Sequence, residues 1–158
     1  MDTVLGYDAV GEIVELGPDV QHLKVGQKVT TFVRMGPSIF PIFPLVWAFL
    51  IWPVAPYGDS QEYFLTQASC SWPFNSNLLT DDQAATIPLT LCTAGDAIYN
   101  KMRPPIPMPD EKPCGRPVLI WGAGSQVGMN AVQLAKKGGC KPVIATASPQ
   151  VHSSPSEI

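Results

Sequence analysis

Residues 117–147 read PVLIWGAGSQVGMNAVQLAKKGGCKPVIATA, and this stretch decides the fold of the C-terminal half of the chain. The apolar run 117–121 is typical of a buried parallel strand, and it leads directly into a glycine-rich turn. Small and apolar side chains then recur at helical spacing until Gly138 and Gly139 end the helix. Residues 141–147 form a second apolar run. The stretch therefore predicts a strand–helix–strand (βαβ) unit with two parallel strands.

Three glycines follow the first predicted strand, at Gly122, Gly124 and Gly128. Glycines permit a tight turn and let unpaired amides at a helix start approach an anion, which the helix dipole also attracts. In βαβ units of this kind the anion is the diphosphate of a dinucleotide. The spacing departs from G-x-G-x-x-G, which would place glycine where this chain has Val127. Glycines that serve only close helix packing are the alternative, but the flanking strands and helix favour a dinucleotide site.

The end of the second strand bears on which dinucleotide binds. NAD-binding units usually carry Asp or Glu about 20 residues after the glycines, where the carboxylate accepts hydrogen bonds from the ribose. This chain instead has TASPQ at residues 146–150. No carboxylate there would repel a 2′-phosphate, and hydroxyl and amide groups are available. The sequence therefore favours NADP over NAD, although the segment has no Arg or Lys to pair with the phosphate.

The N-terminal region has the pattern of β-structure. Between Leu5 and Val33, apolar residues alternate with polar ones, and turn signals occur at residues 17–19 and at Gly26. This pattern indicates a small, strongly curved antiparallel sheet with one buried face. A further strand is predicted over residues 61–65.

Two helix starts and a proline-rich segment come next. Thr80 with Gln83 three residues later is the pattern of a capping box, and Pro88 suits the first position of a second helix. Residues 103–117 contain six prolines, which exclude regular structure. We expect this segment to be a linker that leads to a new unit.

The segment 35–58 contains no charged residue and is strongly apolar over residues 39–53. A membrane-spanning helix needs about 20 predominantly apolar residues with internally satisfied backbone groups. Pro41, Pro44 and Pro53 each remove a backbone donor, and only eight residues separate the last two. The prolines therefore argue against a membrane span, which stays the alternative, and we expect the segment to be an apolar loop insertion. So long an apolar loop is unusual in a compact domain.

Composition and charge exclude several classes of function. The 158 residues carry a net charge of -3 without a basic cluster, so nucleic acid is not expected as a partner. The histidines are His22 and His152, and none of the cysteines forms a C-x-x-C pair, which argues against a zinc site. The N terminus lacks the pattern of a signal peptide. We expect free thiols and a cytoplasmic location. The cysteines are Cys70, Cys92, Cys114 and Cys140.

Five segments occur in an order and spacing that point to a known family. They read GYDAVGEIVELG at 6–17, VGQKV at 25–29, QEY at 61–63, AATIPL at 84–89 followed by Thr93-Ala94, and LIWGAGSQVG at 119–128 followed by QLAK at 133–136. The first three resemble the GroES-like catalytic domain of medium-chain dehydrogenase/reductases. The later two extend the resemblance into the cofactor domain of that superfamily. The sequence of these segments most resembles that of the fungal trans-acting enoyl reductases.

The resemblance implies an α/β plus β fold made of two incomplete domains. Residues 1–80 would form a partial GroES-like β domain with the apolar insertion at 35–58. Residues 81–158 would form a truncated NADP-binding Rossmann domain that contains its first βαβ unit. Because a parallel sheet needs both faces covered, we expect two strands and one helix to leave apolar surface exposed.

The resemblance also implies an NADPH-dependent reductase that delivers hydride to an activated C=C bond of an enoyl or quinone-type small molecule. Zinc-dependent members carry His and Glu after the glycine that corresponds to Gly6, whereas this chain has Tyr7 and Asp8. Tyrosine cannot replace the imidazole ligand, so the zinc-independent branch is implied. A polyketide synthase or a second copy of the chain is the implied partner. The alternative function is that of a catalytically inactive fragment that acts as a cofactor-binding or assembly module.

The family's site residues carry over to this chain in two sets. The phosphates, the 2′-phosphate and the nicotinamide would be bound by Thr93, Gly122, Gly124, Ser125, Gln126, Val127, Gly128, Ser148, Pro149 and Gln150. The substrate would lie beside Pro88, Leu89, Thr90, Leu91, Cys92 and Ala94. For Thr93 the alternative is a hydroxyl that bonds a carbonyl one helical turn back. The sequence assigns neither a catalytic acid nor a metal ligand.

Overall fold

The structure is a computed structural model, and it describes residues 6–33 and 58–149. The chain divides into two compact units, Met1–Leu89 and Thr90–Ile158. The predicted domain boundary lies slightly earlier, between residues 80 and 81. The predicted insertion at 35–58 lies outside the described residues except for Gly58.

The first unit contains a three-stranded antiparallel sheet in the order β1-β2-β3. Its strands are β1 (Asp8–Glu12), β2 (Lys28–Phe32) and β3 (Ser71–Pro73). Asp8 pairs with Phe32 and Glu12 with Lys28, and Thr31 of β2 pairs with Ser71 of β3. The predicted small antiparallel sheet is therefore confirmed.

Buried hydroxyl groups of β2 are satisfied by hydrogen bonds within this unit. The Thr31 hydroxyl lies 2.7 Å from that of Thr66 and 3.0 Å from that of Ser71, and it donates to the Cys70 carbonyl at 2.9 Å. The Thr30 hydroxyl donates to the Ala84 carbonyl at 2.7 Å. Because buried polar groups are costly without partners, these bonds account for two threonines in a strand core.

The strand predicted over residues 61–65 is wrong. These residues form a bend followed by irregular backbone, and the third strand comes later, at β3. The side-chain amide of Gln61 donates to the Gly58 carbonyl at 2.6 Å. This local bond closes a turn, which competes with the extended backbone that a strand requires.

Both predicted helix starts are confirmed. Helix α1 (Asp81–Ala85) begins with a capping box: the Gln83 amide donates to the Thr80 hydroxyl at 3.3 Å, and the Thr80 amide donates to Gln83 Oε1 at 3.0 Å. Helix α2 (Pro88–Gly95) begins at the predicted proline and continues as a π-helical segment, Asp96–Lys101.

The second unit contains the predicted βαβ arrangement. Strand β4 (Val118–Ile120) is followed by helix α3 (Gln126–Lys137) and strand β5 (Val143–Ala145). The two strands are parallel, with Val118 opposite Val143 and Ile120 opposite Ala145. Gly138 caps the helix, and Gly139 adopts φ +74°. The parallel pair, the helix and its glycine stop are therefore confirmed, and so is the α/β plus β fold class.

The proline-rich segment 103–117 forms neither helix nor strand, as predicted, but the expectation that it is a linker is wrong. Ile106 is 2% exposed and lies in the core of the second unit with Ile98, Ala135 and Cys140. The Arg116 guanidinium donates to the Pro104 carbonyl and, at 2.8 Å, to the Pro105 carbonyl. Prolines lack an amide donor but keep a carbonyl acceptor, so an arginine can fix a proline-rich segment without regular structure.

The two-stranded sheet leaves apolar side chains exposed, as expected. Leu119 and Ile144 point away from the helix-covered face and are 58% and 51% exposed, and Trp121 directly after β4 is 84% exposed. Among residues 6–33 and 58–149, no helix has the length and hydrophobicity needed to cross a membrane.

Candidate functional site

The glycine-rich turn after β4 is tied to the end of β5. Gly122 has φ +79°, a conformation that favours glycine, and its amide donates to the Thr146 hydroxyl at 3.1 Å. The Ala123 amide donates to the Thr146 carbonyl at 2.7 Å, and the Thr146 amide donates to the Ile120 carbonyl at 3.0 Å. The turn is thus held by main-chain bonds rather than by a long side chain.

Ser125 is the N-cap of α3 and closes the turn. Its hydroxyl accepts a hydrogen bond from the Gly128 amide at 3.0 Å and donates to the Gly122 carbonyl at 3.0 Å. Its carbonyl accepts from the Met129 amide at 2.8 Å. The Gly128 amide is one of the four that a helix start leaves without an intrahelical acceptor, and the Ser125 amide, another of the four, donates to the Gly122 carbonyl at 3.1 Å.

Gly128 allows the helix to approach the turn closely. A Cβ atom at this position would overlap the Gly122 carbonyl oxygen and would lie 2.7 Å from Ala123 Cα. Gly128 therefore performs the close-packing role that the third glycine of the dinucleotide motif has, although it stands one position later in the sequence.

Three amides remain without an acceptor among the described residues, those of Gly124, Gln126 and Val127. They belong to the turn and the first helical positions, and Gly124 and Val127 are partly exposed while Gln126 is exposed. A helix start with free amides and no obstructing Cβ is suited to a phosphate or diphosphate. The residues present therefore fit the diphosphate of a dinucleotide, which was predicted from the same glycines.

The charges of the strand–helix–strand unit have one sign. From Lys112 to Pro149 the chain carries Arg116 and four lysines but no Asp or Glu. Lys136 and Lys137 lie in the last turn of α3, and Arg116 and Lys141 precede β4 and β5, so these four residues lie at the end opposite the free amides. No carboxylate within this unit would repel an anion bound at the turn.

The residues predicted to reach the 2′-phosphate lie at or beyond the edge of the described region. Ser148 and Pro149 are exposed after β5, and Gln150 lies outside the described residues. The Thr146 hydroxyl, by contrast, already accepts the Gly122 amide. The assignment of these residues to a nucleotide stays a prediction.

The residues predicted to lie beside the substrate and nicotinamide belong to α2. Thr93, Leu91 and Cys92 are exposed, Leu89 and Thr90 are partly buried, and Pro88 and Ala94 are buried. Asn130 of α3 was not anticipated from the sequence: its side-chain amide donates to the Thr90 hydroxyl at 3.0 Å, and it is 9% exposed. This bond joins α2 to the helix that follows the glycine turn. A polar residue on the buried face of α3 was the signal that could have identified it.

The first unit contains two partly buried carboxylates, Asp8 and Asp59. Asp8 Oδ1 accepts the Leu89 amide at 2.7 Å. Burial raises the pKa of Asp8, the Leu89 bond opposes this, and the charge of Asp59 adds to the rise. Burial likewise raises the pKa of Asp59, whose Oδ2 is buried without a partner. In the described part of the chain, no three His, Cys, Asp or Glu side chains come together as a metal site.

Comparisons with known proteins agree with this fold. Residues 1–74 match the family model of the alcohol dehydrogenase GroES-like domain. The dehydrogenase pigH of Monascus ruber is 34% identical over 148 residues, which cover 92% of this chain and 36% of the relative. The trans-enoyl reductase himH of Aspergillus japonicus is 32% identical over 149 residues, which cover 94% of this chain and 39% of the relative. The chain thus spans little more than a third of the length of these relatives.

A solved structure has a similar fold. The crystal structure of an alcohol dehydrogenase superfamily protein from Novosphingobium aromaticivorans is 25% identical and superposes with a TM-score of 0.69. The match covers 95% of this chain and 37% of that protein. With its GroES-like N-terminal region and the start of a Rossmann-like unit, the chain belongs to the medium-chain dehydrogenase/reductase superfamily.

Proposed function

We propose that this chain is part of an NADPH-dependent oxidoreductase that reduces an activated C=C bond conjugated to a carbonyl, without zinc. The observation that carries the proposal is the set of free amides on Gly124, Gln126 and Val127. They lie at the start of α3, where a Cβ on Gly128 would overlap the Gly122 carbonyl oxygen and force the helix away from the turn. The relative named as a trans-enoyl reductase supports an enoyl substrate, and a quinone-type substrate has the same conjugated C=C group.

In this proposal the chain's own residues bind and orient the cofactor. The three amides would hold the diphosphate, and the Ser125 hydroxyl would keep the turn in place through Gly122 and Gly128. Hydride is the chemistry that a bound nicotinamide would supply. Thr93 and the exposed residues of α2 would lie beside the nicotinamide and substrate.

The preference for NADPH rests on charge. No carboxylate follows β5 that would repel a 2′-phosphate, and the Ser148 hydroxyl is exposed there. A cytoplasmic location, and a polyketide synthase or a second copy of the chain as partner, belong to the same proposal.

The test is nucleotide binding to the intact chain. We expect NADPH to raise the melting temperature and to quench the emission of Trp121, which is 84% exposed next to the turn, and we expect NADH to do so less. Turnover of an enoyl thioester with NADPH would show the reductase activity. Binding without turnover would favour the cofactor-binding module instead. A chain that responds to neither nucleotide would contradict both.

A charge at the helix start provides a sharper version of the test. Ser125→Asp keeps an N-cap oxygen that can accept the Gly128 amide, although it gives up the hydroxyl bond to the Gly122 carbonyl, and its carboxylate would repel a diphosphate. We expect the affinity for NADPH to fall by roughly tenfold or more, equivalent to about 1.4 kcal/mol. The matched control is Thr80→Asp, the same charge change at the N-cap of α1, which should leave binding unchanged. Equal affinities for the two variants would exclude the turn as the diphosphate site.

A further inference from the structure

Cys114 and Cys140 are held side by side by main-chain bonds. The Cys114 amide donates to the Gly138 carbonyl and the Gly115 amide to the Gly139 carbonyl, each at 3.0 Å. The Lys141 amide donates to the Arg116 carbonyl at 3.0 Å. These bonds extend the parallel pairing of β4 and β5 backwards, so the two cysteines occupy neighbouring chains although 26 residues separate them.

The two thiols are in direct contact. Cys140 Sγ lies 3.2 Å from Cys114 Sγ, and both cysteines are reduced. Cys140 is 3% exposed, whereas Cys114 is partly exposed. A disulfide needs a separation of about 2.05 Å, so a small side-chain rotation would bring the sulfurs within bonding distance. The pair thus consists of one thiol that solvent can reach and one that only its neighbour can reach.

The surroundings of the two thiols differ in charge as well as in exposure. Burial opposes ionisation of Cys114, but hydrogen bonds from the Arg116 amide and from Cys140, together with the charge of Arg116, hold the pKa of Cys114 below its usual range. Burial raises the pKa of Cys140 to about 11, and its contact with Cys114 acts in the same direction. An accessible thiol with thiolate character beside a protonated one is the arrangement of an attacking and a resolving cysteine.

We propose that Cys114 and Cys140 form a redox-active dithiol that a peroxide converts reversibly into an intramolecular disulfide. The Cys114 thiolate attacks one peroxide oxygen, the O–O bond breaks, and Cys114 becomes a sulfenic acid as hydroxide leaves; this hydroxide becomes water by taking up the proton that Cys114 released to solvent on ionisation. Cys140 then attacks the sulfenic sulfur, the S–O bond breaks, and a second water leaves with the thiol proton. Two electrons pass from the two sulfurs to the peroxide, and a thiol reductant reverses the change.

The disulfide would close a loop around the candidate cofactor site. Residues 114–140 include β4, the glycine turn and all of α3, so the bond would restrict the unfolded chain most strongly in this part of the protein. We therefore expect the oxidised protein to melt at a higher temperature than the reduced protein. This inference does not depend on the proposed reductase activity.

The experiment treats the folded full-length chain with hydrogen peroxide, blocks the remaining thiols with N-ethylmaleimide and maps the peptides by mass spectrometry. We expect a mass loss of two hydrogens, a cross-linked peptide containing Cys114 and Cys140, and recovery of both thiols after dithiothreitol. Cys70 and Cys92 should remain alkylated or become singly oxidised. Because this measurement uses the natural chain, its result does not depend on whether a variant folds.

Variants then separate the pair from the other cysteines. Cys114→Ser should abolish the cross-link, whereas Cys92→Ser, which removes an exposed cysteine outside the pair, should leave it intact. Recovery of both Cys114 and Cys140 in alkylated form after peroxide treatment of the folded chain would overturn the proposal. Cross-links from Cys114 to Cys70 or Cys92 in equal yield would do so too, because they would show general oxidation rather than a built pair.

Discussion

At the scale of single residues, Gly128 is a position where main-chain atoms leave no room for a side chain. Gly128→Ala would force the start of α3 away from the Gly122 carbonyl and Ala123. We expect a loss of about 2 kcal/mol in the free energy of unfolding, within the range of overpacked positions, and loss of the NADPH-induced rise in melting temperature. Chemical denaturation and thermal shift measure the two effects.

The control for this substitution is Gly11→Ala. Gly11 lies in β1, and a Cβ there would meet no atom within 4 Å. Alanine also has the lower conformational entropy in the unfolded chain, so Gly11→Ala should be neutral or slightly stabilising. If the two alanine variants had the same free energy of unfolding and the same response to NADPH, close packing at the turn would not explain why residue 128 is glycine.

Asp59 gives a prediction about pH. Burial raises its pKa, so the folded first unit binds a proton more tightly than the unfolded chain does. The associated stability is fully present below the ordinary carboxyl pKa and is lost as the pH rises through the raised value. We therefore expect Asp59→Asn to increase stability at neutral pH by about 1 kcal/mol, since it removes a poorly paired buried carboxylate.

The measurement is the free energy of unfolding of the first unit between mildly acidic and neutral pH. The Asp59→Asn protein should lose less stability than the natural chain as the pH rises. The control substitution is Asp19→Asn, which makes the same change at an exposed carboxylate. If the Asp59→Asn protein lost more stability than the natural chain as the pH rises, the Asp59 carboxylate would not be what lowers the free energy of unfolding at neutral pH.

At the scale of elements, the capping box of α1 is the most readable signal in the chain. Because the Thr80 hydroxyl accepts the Gln83 amide, Thr80→Ala should destabilise the first unit by about 1 kcal/mol. Ser76→Ala removes a nearby exposed hydroxyl outside the helix, so it should leave the stability unchanged. If the Thr80→Ala protein and the natural chain had equal free energies of unfolding in urea, the cap would contribute nothing to stability.

The same scale shows why some elements were predictable and others were not. Helix α3 follows the glycine turn and ends at Gly138, as the sequence predicts, and the structure adds Ser125 as its cap. The third strand has no such signal. Its position depends on pairing with β2 and on the Thr31 hydroxyl, which are contacts between residues far apart in the chain. Apolar alternation at 61–65 therefore predicted a strand where a local turn prevails.

At the scale of the whole molecule, the sequence predicted the fold class and the location of the glycine turn. It did not predict the free amides individually, because that depends on which amides Thr146 and Ser125 occupy. Asn130 and the Cys114–Cys140 contact were equally hidden, since each depends on a distant partner. The absence of a carboxylate from residues 146–150, by contrast, could be read directly from the sequence.

The packing of Ile106 determines where the chain can be divided for separate expression. A recombinant piece that starts at Pro117, where the repetitive prolines end, would lose Ile106 and the carbonyls that Arg116 binds. The space beside Gly138 would then face solvent. A piece that starts at Thr90 keeps Ile106 in the core of the second unit and is the better choice for isotope labelling and ligand titration.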